Sequence, residues 1–287
     1  MHELWHILWH GTLDSLTVLP FLFVTYLVME LLEHRAGNRV QAAVKKAGRA
    51  GPAIGGALGL VPQCGFSTMA AGLYAGRVVP PGTLLAVFLA TSDEMLPVFI
   101  GEGVGATKIL TVLAVKLVLA LIVGFATDLI LHDHIKETHI EELCEEEHCH
   151  CEKGILGSSI HHTLFVFLFI WIINIALTAL FELVGEAPIA AAVNSLPVLG
   201  TVLAALAGLI PNCAASVAIA TLWTNGVISG GAMLAGLLTG AGAGLLVLFR
   251  TNRHLKENLL LLCTLLGAGI LFGVLFDLTG LTTVLRL

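Results

Sequence analysis

Charge is scarce in this sequence. Only 12% of its 287 residues are Asp, Glu, Lys or Arg, against roughly a quarter in ordinary soluble domains. No basic patch is present, which removes nucleic acid from the candidate partners. No G-x-x-x-x-G-K-[ST] loop occurs, so the chain does not hydrolyse ATP through that motif. The start, "MHELWHILWHGTLDS", lacks the basic residues and small-residue cleavage site of a signal peptide. Six cysteines outside a short secreted context do not form a disulfide framework. Histidine is missing from the apolar core, so a nucleophilic cysteine there has no neighbouring base, which counts against an intramembrane enzyme.

What is abundant is apolar surface: 57% hydrophobic residues and a mean hydropathy of +0.94. Runs at 13–33, 82–101, 107–131, 161–182, 230–249 and 258–280 approach or exceed the roughly 20 residues that cross a bilayer. The chain is expected to be a polytopic all-α membrane protein bathed in lipid. Its net charge of -6 is local in origin, because eight of the twenty acids lie between Asp133 and Glu152.

The phrase Gly-Leu-x-Pro-amide-Cys occurs twice, at 59–64 and again 149 positions later at 208–213. The same offset pairs Glu33 with Glu182, Ser67 with Ser216, Tyr74 with Trp223 and Asp128 with Asp277. Two homologous transmembrane repeats follow, 11–131 and 160–287. An amphipathic segment, 1–10, precedes them, and a His/Cys/Glu-rich loop, 132–159, joins them. His2, His6 and His10 share one face of the leading segment, which Trp5 and Trp9 anchor at the membrane surface.

Each repeat holds one long span, a Gly/Ala-rich region around a proline, and two more long spans. Segments 52–61 and 65–76, and likewise 198–209 and 214–225, are too short to cross at 1.5 Å per residue. Pro62 and Pro211 break the backbone between them. The reading is a broken-helix re-entrant hairpin in each repeat, giving ten helices in total. Three full spans per repeat then make the second repeat enter inverted. With the loop after the first span placed inside, eleven Lys and Arg fall inside and two, Lys108 and Arg286, outside. That satisfies the positive-inside rule. Both termini are expected outside and loop 132–154 in the cytoplasm.

Irregular backbone at membrane depth is tolerated where it lines a cavity, and inverted repeats with broken helices mark secondary transporters. Gln63 and Asn212 can replace lost backbone hydrogen bonds at the two tips. Cys64 and Cys213 would meet near a pseudo-two-fold axis as a pair of soft ligands for a thiophilic ion, with Ser67 and Ser216 beside them. Asp93 and Glu94, in "ATSDEMLP", read as carboxylates in the middle of the 82–101 span. Each costs about 2.5–3.5 kcal/mol there, which suits cation binding or proton coupling. Their repeat partners are Gly242 and Ala243. Thr91 and Ser92 can add hydroxyl ligands. Lys116 either snorkels to its span end or pairs with those acids in coupling. Asp128 and Asp277 read as structural. In the joining loop, Cys144, His148, Cys149, His150 and Cys151 form a metal-collecting tract by composition.

The stretches "VPQCGFSTMAAGLYAG", "LLAVFLATSDEMLPVFI", "IPNCAASVAIATLW" and "LLTGAGAGLLVLFRTNRHLKENL" resemble ten-transmembrane heavy-metal exporters, the ArsP-like arsenic efflux proteins. That resemblance spans nearly the whole chain. It implies export of arsenicals or heavy-metal ions from a bacterial cytoplasm through the inner membrane. The combined expectation is a secondary transporter and not an enzyme, without cofactors, exporting a thiophilic metal or metalloid on a proton or ion gradient. The alternatives are a Zn(II) or Mn(II) carrier, a small-organic-anion carrier, an intramembrane cysteine enzyme and a passive channel. Homo-oligomers are left open.

Overall fold

The computed structural model describes residues 50–61, 64–92, 95–131, 197–211 and 213–279, with scattered helical positions between 9 and 27 and between 156 and 175. At Cys64, Pro197, Cys213 and Ala214 it describes the backbone alone. Pro62, Gln63, Asp93, Glu94 and Asn212 lie outside the described residues. So do His2, His6, His10 and the tract holding Cys144, His148, Cys149, His150 and Cys151.

Among the described residues every regular element is a helix: α1 Gly51–Gly59, α2 Cys64–Ala75, α3 Pro81–Ala90, α4 Met95–Gly101, α5 Ala106–Leu131, α6 Pro197–Gly208, α7 Cys213–Thr224, α8 Gly230–Thr239, α9 Ala243–Thr251 and α10 Leu255–Thr279. Both ends of α2 and α7, and of α3 and α8, differ by 149 positions. At roughly 1.5 Å per residue, the 9 residues of α1 and the 12 of α2 are each too short for a hydrocarbon core of about 30 Å. The short helices anticipated on either side of Pro62 and Pro211 are therefore present, within one or two residues of their expected bounds.

Among the described residues, four segments are long and apolar enough to cross a membrane: Pro81–Gly101, Ala106–Leu131, Gly230–Thr251 and Leu255–Thr279. Their most apolar windows are 69% and 83% buried in the first and third, against 33% and 28% in the second and fourth. The first and third are therefore inner helices, and α5 and α10 turn Val118, Ile122, Phe125, Leu259, Leu271 and Leu275 outward, as lipid contact requires.

One expectation needs correcting. The spans at 82–101 and 230–249 keep their length but are not continuous helices. Helix α3 ends at Ala90 with Thr91 in a non-helical conformation (φ −49°, ψ 127°), and α4 begins at Met95. Pro97 has no N–H to give the carbonyl four residues back, so one unbroken helix through Asp93 would leave that carbonyl unpaired. In the second half α8 ends at Thr239 and Gly242 takes a positive φ of 54° before α9, a conformation that favours glycine. The two halves break at equivalent places by different residues.

Packing follows the repeat as well. Helix α3 lies against α1 and α5, and α8 against α6 and α10. The α3–α5 crossing is closed by Asp128 Oδ1, which accepts from Gly82 N at 2.7 Å, and the α8–α10 crossing by Asp277 Oδ1, which accepts from Gly231 N at 3.1 Å. Asp277 Oδ2 also accepts from Ser229 Oγ at 2.8 Å and Thr201 Oγ1 at 3.2 Å. Each carboxylate satisfies an orphan N–H at a neighbour's first turn and complements its dipole, which makes both aspartates structural. Asp128→Ala and Asp277→Ala are each expected to lose about 1–2 kcal/mol, Asp277→Ala the more. Chemical unfolding in detergent reads this directly, and wild-type stability in both variants would refute the capping role.

Between the halves the arrangement is crossed. Helix α2 of the first half packs on α9 of the second, and α7 of the second on α4 of the first. Phe99 and Trp223 meet in the latter contact, their ring centroids 4.8 Å apart and their planes tilted by 41°.

Candidate functional site

The four helix interruptions are drawn together by close backbone approach. A Cβ on Gly59, at the end of α1, would lie 2.6 Å from Val87 O and 3.0 Å from Ala90 Cβ. The turn after α1 therefore lies beside the α3–α4 break. A Cβ on Gly208, at the end of α6, would lie 2.1 Å from Gly236 O, and Thr239 Oγ1 donates to Ala205 O at 2.7 Å. The turn after α6 thereby lies beside the α8–α9 break.

Helix starts converge on the same region. Ser67, in the first turn of α2, is fully buried, and its Cβ would be 2.8 Å from one built on Gly244. Ser216, in the first turn of α7, has its Oγ 3.4 Å from a Cβ position on Gly240. Hydroxyl side chains from equivalent positions of the two halves thus flank one break. Both serines were read from the sequence as neighbours of the helix tips, and in the structure they lie beside the α8–α9 break. Helices α2 and α7 begin at Cys64 and Cys213, three residues before these serines. Pro211, just before the start of α7, is partly buried.

Lys116 joins the two breaks. It sits inside α5 with no solvent exposure, which rules out the snorkelling alternative. Its ammonium donates to Thr91 O and, at 2.8 Å, to Leu237 O. One carbonyl belongs to the end of α3 and the other to the last turn of α8. Carbonyls at helix ends lack intrahelical partners and carry the negative end of the dipole. Burying a lysine at a helix centre costs about 2.5–3.5 kcal/mol, and two charge-assisted bonds of about 1.5–3 kcal/mol each offset that. The repeat partner of Lys116 is Leu265, so this cation belongs to one half.

The hydroxyls of Thr91 and Ser92 are turned to the backbone. Thr91 Oγ1 donates to Val87 O at 2.7 Å and Ser92 Oγ to Ala90 O at 2.9 Å. Their oxygens keep acceptor capacity for a cation, while their protons terminate α3. Among the described residues no cluster of three His, Cys, Asp or Glu side chains exists.

A second polar cluster, not foreseen, fastens α2 to the α9–α10 corner. Arg77 grips Glu257 with both guanidinium nitrogens, at 2.7 and 3.2 Å, the bidentate geometry that arginine favours. Tyr74 Oη donates to Glu257 Oε2 at 3.1 Å, and Arg77 Nη2 lies 3.1 Å from His254 Nδ1. Behind them Asn252 Nδ2 donates to Asn258 Oδ1, and Asn258 Nδ2 to Asn252 O, each at 2.7 Å. Arg77 has a positive φ of 56°, and its repeat partner is Gly226, with φ 70°. Holding arginine in this conformation costs roughly 1–2 kcal/mol. A non-glycine residue where the other half keeps glycine was the available signal.

These features define a class: an all-helical, multi-pass membrane protein whose buried polar groups gather at interrupted helices. Within that class, the chain belongs to the ArsP_2 family, described as "Putative, 10TM heavy-metal exporter", whose model matches residues 10–187. Exporters are transporters, so the chain falls outside the enzymes. No curated protein and no solved structure matches it.

Proposed function

We propose that this chain is a secondary transporter that exports a thiophilic metal or metalloid across a bacterial inner membrane on a proton or ion gradient. The observation that carries the reading is the convergence of four helix interruptions, two from each half, around one buried lysine. Broken helices gathered at an interface between repeats are where secondary transporters bind substrate and coupling ion.

In this reading the halves are inverted repeats, the turns at Pro62 and Pro211 are tips of re-entrant hairpins, and both termini face outward. Cys64 and Cys213 supply soft ligands at the starts of α2 and α7, with Gln63, Asn212, Ser67 and Ser216 completing the tips. Asp93 and Glu94 follow Ser92 in the α3–α4 break and carry the coupling charge, with Thr91, Ser92 and Lys116 beside them. The loop 132–154 lies inside and concentrates metal for the pathway through Cys144, His148, Cys149, His150 and Cys151. The family description supports the heavy-metal class of cargo, and the paired cysteines support the thiophilic choice within it.

Expression in a bacterial host stripped of its own exporters tests the proposal. Tolerance to trivalent arsenic or Cu(I) is expected to rise while the cellular content of that element falls. Tolerance that changes for Mn(II) alone, or for no element despite normal insertion, overturns it.

A further inference from the structure

We propose that the Lys116 ammonium is a tethered cation, seated in a monovalent-cation site built from the ends of two broken helices. Both of its named acceptors, Thr91 O and Leu237 O, are main-chain carbonyls. They come from the C-terminal ends of α3 and α8, one in each half of the chain. In secondary transporters, unwound carbonyls and half-helix C-terminal ends are the groups that hold Na⁺. Here a side chain fully removed from solvent delivers the positive charge instead.

Helices α1 and α3, which pack on α5, hold no Asp, Glu, His, Lys or Arg, and neither does α8, which provides Leu237. Asp93 and Glu94, next along the chain after Ser92, are the acids nearest in sequence and lie outside the described residues. The equivalent position in the second half is Leu265, buried in the apolar core. The Lys116 ammonium reaches both breaks, and a free sodium ion at the same carbonyls would have to displace it.

Two consequences follow. The tether holds the two halves together at their breaks, and, given the transporter reading above, flux proceeds without sodium. The test uses purified full-length protein in detergent, wild type and Lys116→Met, which keeps much of the apolar stem and removes the charge. Thermal unfolding is followed in choline chloride and in titrations of Na⁺, K⁺ and NH₄⁺. Lys116→Met is expected to melt below wild type in choline and to regain several degrees, saturably, as one of these ions fills the vacated carbonyl site. Wild type should show no such rise.

A variant that no cation stabilises, or a wild type stabilised just as strongly, overturns the tethered-cation site. If Lys116→Met cannot be purified, wild-type flux in proteoliposomes decides: equal rates with Na⁺ or choline outside and inside support the proposal, and a strict Na⁺ requirement sinks it. Cation rescue of Lys116→Met stability in a protein that exports no metal would count against the export reading and leave the cation site standing.

Discussion

Gly208→Val should yield no stably folded protein, whereas Gly267→Val should behave as wild type. A Cβ on Gly208 would lie 2.1 Å from Gly236 O and 2.4 Å from Thr239 Oγ1. The first obstacle is main chain, so the helices themselves must separate. Separation also strains the bond from Thr239 to Ala205 O that crosses the same interface. Overpacking of about 1–3 kcal/mol adds to a buried hydrogen bond of about 0.5–1.5 kcal/mol, and valine's branches raise the sum. That is a large part of the roughly 5–15 kcal/mol that holds a typical protein together. Gly59→Val should fail for the same reason against Val87 O. Gly267 has nothing within 4 Å of its Cβ position. Size-exclusion profiles and melting curves in detergent separate the cases, and a monodisperse Gly208→Val with wild-type melting would show that the α6–α8 contact is not as tight as drawn.

Cys64→Ser and Cys213→Ser are each expected to abolish binding of a thiophilic substrate, with similar severity. Serine nearly keeps the size of cysteine but offers a hard ligand where a soft one is needed. Asp93→Asn and Glu94→Gln should spare binding and lose pH-driven flux, because an amide keeps hydrogen bonds but carries no proton. A hard cation as cargo reverses the order: the acids become indispensable for binding and the serine variants are tolerated. Equilibrium binding and proton-driven flux on the four variants distinguish these outcomes. Wild-type binding in both serine variants removes the soft-ligand mechanism and the main chemical reason for arsenic or heavy-metal cargo.

The half-length helices were legible because Pro62 and Pro211 interrupt Gly/Ala-rich segments too short to cross. Asp128 and Asp277 were legible as structural because they recur in register, and both turn out to cap a neighbouring helix. The breaks at Thr91 and Gly240 were missed because apolar content summed over 20 residues hides a local interruption. Pro97 and the positive-φ glycine at Gly242 were the local signals. The snorkelling alternative for Lys116 failed for a different reason. Its distance along the helix permits snorkelling, and two of its acceptors are main-chain carbonyls, which every residue possesses and no sequence pattern advertises. Of the proposed substrate ligands, Ser67, Ser216, Thr91 and Ser92 have described side chains, while those of Gln63, Cys64, Asp93, Glu94, Asn212 and Cys213 lie outside the described residues.

The crossed packing of the halves produces two equivalent seams, both lined by apolar side chains, that are finished by different groups. Where α2 meets the α9–α10 corner, Arg77 and Glu257 close the seam with charge, their side chains 13% and 38% exposed. Where α7 meets α4, Trp223, the repeat partner of Tyr74, closes it with an aromatic contact on Phe99. Dissolved salt screens a partly exposed ion pair over about 8–10 Å, and strongly hydrated anions such as sulfate reinforce apolar contact. A change of electrolyte therefore does not loosen this molecule evenly. It removes the ionic share of the hold at one seam and has no such share to remove at the Phe99–Trp223 contact, and the ionic composition of the bathing fluid becomes a bias on which seam parts first.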